Sequence, residues 1–208
     1  FHIISQIGYM LFGIVVATPL AVGGSILYLI HHIIVKANLF LIAGVIDRAG
    51  GSFDLKKLGG LYASLPMLGV LFLIPALSLA GLPPLSGFWS KFTVIKASLD
   101  AGHIVLAASG LLVGLLTLYS MLKIWNEAFW KAAPAGGTEC VRDWQADRKT
   151  KLLMLTPIVS LAAITLAIGL FAEPFVDFSM RAGAQLINTS AYIDAVIGPS
   201  HLAAEANP

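Results

Sequence analysis

The sequence reads as an all-α integral membrane protein with five transmembrane helices, one of them discontinuous at Pro83-Pro84. Three observations lead there. Of the 208 residues, 58% are hydrophobic and only 12% charged, against about 25% charged in a soluble domain. The apolar residues gather in runs that match a bilayer crossing, which takes ~20 residues at ~1.5 Å each. Those runs also enclose Lys36 and Lys91, at depths where an unpaired lysine costs at least ~2.5–3.5 kcal/mol. Such composition excludes a soluble enzyme, and nothing in it points to nucleic acid.

The first span runs from Ile3 to Thr18 and is closed by Pro19. The second, Leu20 to Ile46, carries His31, His32 and Lys36. A polar loop from Asp47 to Ser64 follows, with Arg48, Asp54, Lys56 and Lys57. The third run, Pro66 to Leu99, is too long for one straight span. Gly81, Pro83, Pro84 and Gly87 divide it, because proline removes a backbone donor and clashes with the preceding turn. The fourth span runs from His103 to Trp130. Residues 131–151 form a second polar loop, residues 152–173 the final transmembrane helix, and residues 174–208 an amphipathic segment and tail. The last dozen residues are expected to be poorly ordered. The chain opens at Phe1 inside an apolar stretch, without a charged leader or a small-residue cleavage site. It is therefore expected to be a piece of a longer protein.

Orientation follows from lysine and arginine placement. Five spans put loops 47–64 and 131–151 on one side, with Arg48, Lys56, Lys57, Lys131, Arg142, Arg148, Lys149 and Lys151. The other side has little beyond Arg181. The two loops are expected to be cytoplasmic and the C-terminus outside. Cys140 stands alone, so no intrachain disulfide or cysteine metal site forms. No phosphate-cradling glycine loop, zinc spacing or catalytic triad stands out, so neither a cofactor nor a metal is expected.

The ionisable residues carry the functional reading. His32 and Lys36 are four apart and share a helix face, while His31 points about 100° away from His32. Desolvation penalises an ammonium and favours the neutral amine, and histidine titrates near physiological pH. Together they suit a proton relay with water between stations. The competing reading has Lys36 snorkelling to an interface and His32 bonding a neighbouring carbonyl. Lys91 follows the Pro-Pro break, where freed backbone groups are tolerated at depth only if buried in protein or facing a wet cavity. The alternative is an architectural kink with Lys91 paired to a carboxylate. The spans hold almost none apart from Glu127, which sits four residues from Lys123 as a local ion pair. Ser5, Gln6, Tyr9, Ser25 and Tyr28 are further polar groups that suit either a wet path or helix packing.

At this point the motifs resemble a known family. Ser5-Gln-Ile-Gly-Tyr-Met10, His32-x-x-x-Lys36 with Leu39-Phe-Leu-Ile-Ala-Gly44, and Leu79-Ala-Gly-Leu-Pro-Pro-Leu-Ser-Gly-Phe-Trp-Ser-Lys91 are similar to the antiporter-like membrane subunits shared by respiratory complex I, membrane-bound hydrogenases and Mrp-type cation/proton antiporters. Within that family, Asp54-Leu-Lys-Lys-Leu-Gly-Gly60, Lys123-Ile-Trp-Asn-Glu-Ala-Phe129 and Ala191-Tyr-Ile-Asp194 look most like the D-type subunits of Mrp antiporters. The resemblance implies that residues 1–130 are the second inverted repeat of an antiporter-like subunit, followed by its last helix. It implies a bacterial inner-membrane location. The implied activity is Na+/H+ antiport as one subunit of a multisubunit complex, with protons carried by a mid-membrane relay of Lys36, Lys91, His32 and His31. Relatives often carry a further histidine one turn before His32, where Tyr28 stands here. The alternative is a proton-pumping membrane subunit of a complex I-like NADH:quinone oxidoreductase or of a membrane-bound hydrogenase. A purely structural membrane subunit is a third reading. The implied partners are the other subunits, the missing N-terminal half of the same subunit, lipid, protons and Na+.

Overall fold

The computed structural model describes residues 2–132, 148–188, 190, 193 and 196. The central part of the second polar loop, with Cys140 and Arg142, lies outside the described residues. So do most of the tail beyond Asn188 and the greater part of the Ala191–Asp194 motif.

Helix α1 spans His2–Val16. Thr18 then caps the next helix, its hydroxyl accepting the Ala21 N–H at 3.2 Å, with Pro19 at the first helical position. Helix α2, Pro19–Gly50, has 32 residues and is about 48 Å long. It outruns a hydrocarbon core of ~30 Å and takes in four residues, 47–50, that the sequence assigns to the loop. Gly51, at φ 73°, ends it and returns its N–H to the Asp47 carbonyl at 2.6 Å. A single 3₁₀ turn, Leu55–Lys57, and the short helix α3, Leu61–Ser64, fill the rest of that loop.

The third apolar run forms two half-helices, α4 (Pro66–Ala80) and α5 (Ser86–Asp100). Gly81 closes α4 at φ 95°, a conformation that a side chain resists, and the Pro83-Pro84 bond in the gap is cis. Gly87 belongs to the first turn of α5 rather than to the gap. Its lack of a side chain matters because a Cβ there would overlap the Ser78 carbonyl of α4. Helix α6, Ile104–Trp125, ends in a π-turn over Asn126–Trp130. Helices α7, Arg148–Leu170, and α8, Ala172–Ile187, complete the described chain.

Among the described residues, three helices are long and apolar enough to cross a membrane: Pro19–Gly50, Ile104–Trp130 and Lys149–Leu170. Two shorter apolar helices, Ile3–Val16 and Pro66–Ala80, accompany them. Helix α2 is the axis, packed against α1, α4, α5, α7 and α8. Among the described residues three apolar cores lie along it. The largest joins Val35, Ile42 and Val45 to Phe72, Leu79, Phe129 and Ile158; a smaller one joins Tyr9, Phe12, Tyr28 and Val94; a third joins Val16, Ala21 and Ala97. Small residues set the close crossings, as expected where lipid supplies no hydrophobic drive between helices. A Cβ on Gly183 of α8 would lie 2.8 Å from the Pro19 carbonyl of α2. Phe178 and Leu186 remain exposed on α8. The Trp89 indole of α5 donates to the Gly169 carbonyl of α7 at 2.9 Å. The two polar loops meet: the Gly60 N–H donates to the Lys131 carbonyl at 2.5 Å, and Lys131 Nζ to the Lys56 carbonyl at 3.2 Å.

The crossing at the break gives a direct test. Gly87→Ala should destabilise the solubilised full-length protein by about 1–3 kcal/mol through overpacking, read as a lower thermal midpoint. Gly8→Ala, where a Cβ meets nothing within 4 Å, should be neutral or slightly stabilising. Equal midpoints for the two variants would contradict the close approach of α4 and α5.

Candidate functional site: a buried polar axis at the helix break

The break leaves α4 with carbonyls that no further turn can satisfy. Lys91, one turn into α5 and only 5% exposed, donates from Nζ to the Ala80 carbonyl at 3.2 Å. The ammonium thus caps a helix C-terminus, where the macrodipole favours a cation. Nζ also lies 4.6 Å from the centroid of the Tyr9 ring. The Tyr9 hydroxyl in turn donates to the Gly110 carbonyl of α6. Glycines make the room. A Cβ at Gly81 would sit 2.8 Å from Lys91 Cδ, and one at Gly114 would lie 3.9 Å from Nζ. A cavity of about 520 Å³ borders this group, lined by Tyr9, Gly81, Phe88, Lys91, Gly110 and Gly114 among others. Among the described residues no carboxylate pairs with Lys91; the ion pairs are Lys96 with Asp100 and Lys131 with Glu127, so Glu127 pairs forward with Lys131 rather than with Lys123 as the sequence suggests.

His31 reaches the other side of the break. It is 1% exposed, and its Nδ1 lies 2.8 Å from Ser86 Oγ, which lies 3.1 Å from Ser78 Oγ. The Gly87 N–H donates to Ser78 Oγ at 3.3 Å. Ser78 stands near the end of α4 and Ser86 at the start of α5, so one histidine is bonded across both half-helices. His32 takes another direction, as the spacing requires. Its ring lies over Tyr28 at 6.1 Å and 17°, whereas His31 meets Tyr28 edge-on at 5.7 Å and 61°. Tyr28 stacks on Tyr9 at 5.0 Å and 30°. Aromatic rings therefore form an unbroken contact series from Lys91 through Tyr9 and Tyr28 to both histidines.

Tyr28 is held by a hydrogen-bond chain crossing three helices. Its hydroxyl donates to Gln6 Oε1, Gln6 Nε2 donates to Thr117 Oγ1 at 3.0 Å, and Thr117 donates to the Val113 carbonyl at 2.7 Å. Several buried polar atoms on α2 have no hydrogen-bond partner among the described residues: Nε2 of His31 and of His32, and both amide atoms of Asn38. Lys36 lies one turn beyond His32, half-buried beside Leu39, Phe40, Phe53, Phe72 and Met121 at a cavity of about 240 Å³.

Lys91 and His31 thus meet at the broken helix, with Gly81 and Gly87 supplying space. Pro83 and Pro84 form the gap itself. His32 and Lys36 continue along α2. Gln6, Tyr9 and Tyr28, which the sequence marks only as polar candidates, are parts of the axis. Ser78, Ser86, Thr117 and Asn38 escape the sequence reading. Asn38 does leave a signal. The buried residues Tyr28, His31, Val35, Asn38, Ile42, Val45 and Ala49 recur every three or four positions, so Asn38 shares the stripe of His31.

Residues 2–117 match the family described as "NADH:quinone oxidoreductase/Mrp antiporter, TM". The chain is 47% identical over 197 residues to the D-type subunit of the Na(+)/H(+) antiporter of Alkalihalophilus pseudofirmus, covering 95% of this chain and 38% of that protein. It is 31% identical over 179 residues to the N-type subunit of the NADH-quinone oxidoreductase of Desulforudis audaxviator, covering 84% of this chain and 36% of that protein. Among solved structures it is similar to a chain of the Mrp complex from Dietzia sp. DQ12-45-1b. The TM-score is 0.82 at 37% identity, over 95% of this chain and 43% of that one. The chain therefore spans well under half the length of the relatives it matches.

The serine bridge at the break is testable by itself. Ser86→Ala leaves both nitrogens of His31 without a partner among the described residues and should cost about 1–3 kcal/mol. That cost would appear as a lower thermal midpoint of the assembled protein. Ser109→Ala removes a comparable but exposed hydroxyl and should leave the midpoint unchanged.

Proposed function

Because this chain belongs to the NADH:quinone oxidoreductase/Mrp antiporter membrane family, we propose that it is the C-terminal part of a D-type subunit of a multisubunit Na+/H+ antiporter and conducts protons along its buried polar axis. It is a multi-pass membrane protein, and its antiporter relatives support reading it as a transporter subunit rather than an enzyme. The carrying observation is Lys91. It is a buried lysine at a helix break, held by a backbone carbonyl and an aromatic face with no carboxylate beside it among the described residues. A structural ion pair is the usual reason for burying a lysine, and its absence there favours a group that exchanges protons.

In this reading Lys36 is the central relay, His32 its neighbour, and Lys91 the gate towards the far side. His31 senses the break through Ser86. Water bridging the unpaired nitrogens of both histidines and the Asn38 amide would carry protons between stations. Two charges about 8 Å apart repel by roughly 2 kcal/mol at an effective dielectric of ~20, so charging one station disfavours charging the next. The remainder of the same subunit and the other subunits of a bacterial inner-membrane complex are the partners, with protons and Na+ as the transported ions. Loops 47–64 and 131–151 face the cytoplasm and the C-terminus lies outside. The contacts that Lys131 makes with Lys56 and Gly60 support putting both loops on one side.

A second reading is a proton-pumping membrane subunit of a complex I-like oxidoreductase. The identity to the N-type oxidoreductase subunit favours it, and the same residues would carry protons. Redox subunits purifying with the protein would decide for it.

The test is pH-gradient-driven Na+/H+ exchange in vesicles bearing the full complex. Lys91→Ala and Lys36→Ala should each bring exchange to the level of empty vesicles while leaving assembly intact. Exchange at the unmodified rate in both variants would mean that the lysines are structural and would remove the relay.

A further inference from the structure

We infer that Tyr9 is a positioning residue for Lys91, its ring face holding the ammonium at the helix break in place of a carboxylate. The inference rests on the proton-conducting reading above and adds a residue to it. An ammonium has three donors and no acceptor. The hydrogen bond to the Ala80 carbonyl uses one of them. Among the described residues no acidic side chain supplies a second partner. The negative face of the Tyr9 ring lies 4.6 Å from Nζ, within the range of a cation–π contact.

The ring is itself fixed. Its hydroxyl donates to the Gly110 carbonyl, Tyr28 stacks on it at 5.0 Å, and Phe12 stacks at 5.7 Å. At 1% exposure it cannot swing into lipid without opening its core with Phe12, Tyr28 and Val94. Gly110 and Gly114 hold α6 close enough for this arrangement. A Cβ at Gly110 would lie 3.4 Å from Tyr9 Cε1, and one at Gly114 would lie 3.5 Å from the Tyr9 hydroxyl.

A ring differs from a carboxylate in a way that matters for transport. It attracts the ammonium without taking its proton and without forming a tight ion pair. Lys91 therefore keeps a defined position against Ala80 in its charged form and still releases the proton. Among the described residues, the other titratable groups in this ring series are Tyr28, His31 and His32, all on α2. The lining of the cavity from α4 and α6 carries no ionisable side chain.

The experiment uses the full complex in vesicles and places phenylalanine, then mono-, di- and trifluorinated phenylalanine, at position 9 by nonsense suppression. Fluorination keeps the ring shape and removes its negative face stepwise. Tyr9→Phe should exchange within about twofold of the unmodified complex, and each added fluorine should lower the rate, by about tenfold in total. Tyr9→Leu should lose at least as much. A flat fluorine series, with Lys91→Ala inactive, overturns the role of Tyr9 and leaves Lys91 on the path. Full exchange by Lys91→Ala takes Lys91 off the path and overturns this inference; full exchange by Lys36→Ala as well overturns the proton-conducting reading. Should Tyr9→Leu fail to assemble, the fluorine series still decides, since a packing role is blind to ring charge.

Discussion

A hydrocarbon environment offers no water to an exposed peptide group, so every backbone donor and acceptor has to be met within the protein. The interruption between α4 and α5 strains that rule, and much of the site answers it. At the end of α4 the Ala80 carbonyl receives the Lys91 ammonium. At the start of α5 the Gly87 N–H is taken by the Ser78 hydroxyl, which is joined through Ser86 to His31. A lysine and a histidine from different helices are thus drawn to one place by backbone groups that a continuous helix would have satisfied internally.

Holding such a break rigid requires close packing. Gly87 lets α5 touch the Ser78 carbonyl, Gly169 lets α7 approach Pro84 and Leu85, and Gly183 lets α8 rest on α2. Each contact brings backbone against backbone, where dispersion and local dipoles replace the hydrophobic drive that lipid cannot supply. Helix α2 threads through all of it. Its length carries the polar residues from the aromatic cluster at Tyr28 to the apolar surroundings of Lys36 without a turn between them.

The two lysines occupy different environments, and this gives the axis a direction. Lys91 has defined partners on both sides, a carbonyl and a ring. Lys36 has no hydrogen bond or ion pair among the described residues and borders an apolar cavity. The histidines lie between, one bonded to the break and one resting on Tyr28. Gln6 and Thr117 keep Tyr28 still, so the ring that touches both histidines is not a free rotor.

Sequence alone determined the class of protein, the apolar runs and the break, because these depend on local chemistry. Apolar run length, the missing donors of Pro83 and Pro84, and the conformational freedom of Gly81 are properties of neighbouring residues. It also singled out Lys36, Lys91, His31 and His32, since charge inside an apolar run is legible without knowing the fold. It ended the second span four residues early, because Asp47 and Arg48 look like loop although they form the last turn of a protruding helix. Only the tertiary structure decided which polar residues meet. The spacing of His31 and His32 says that they diverge but not that His31 finds Ser86, 55 positions away. Nor does any local pattern place Tyr9 under Lys91 or join Gln6 to Thr117 across 111 positions. Those pairings follow from how the helices cross, which is set by glycine contacts summed over the whole bundle rather than by any one segment.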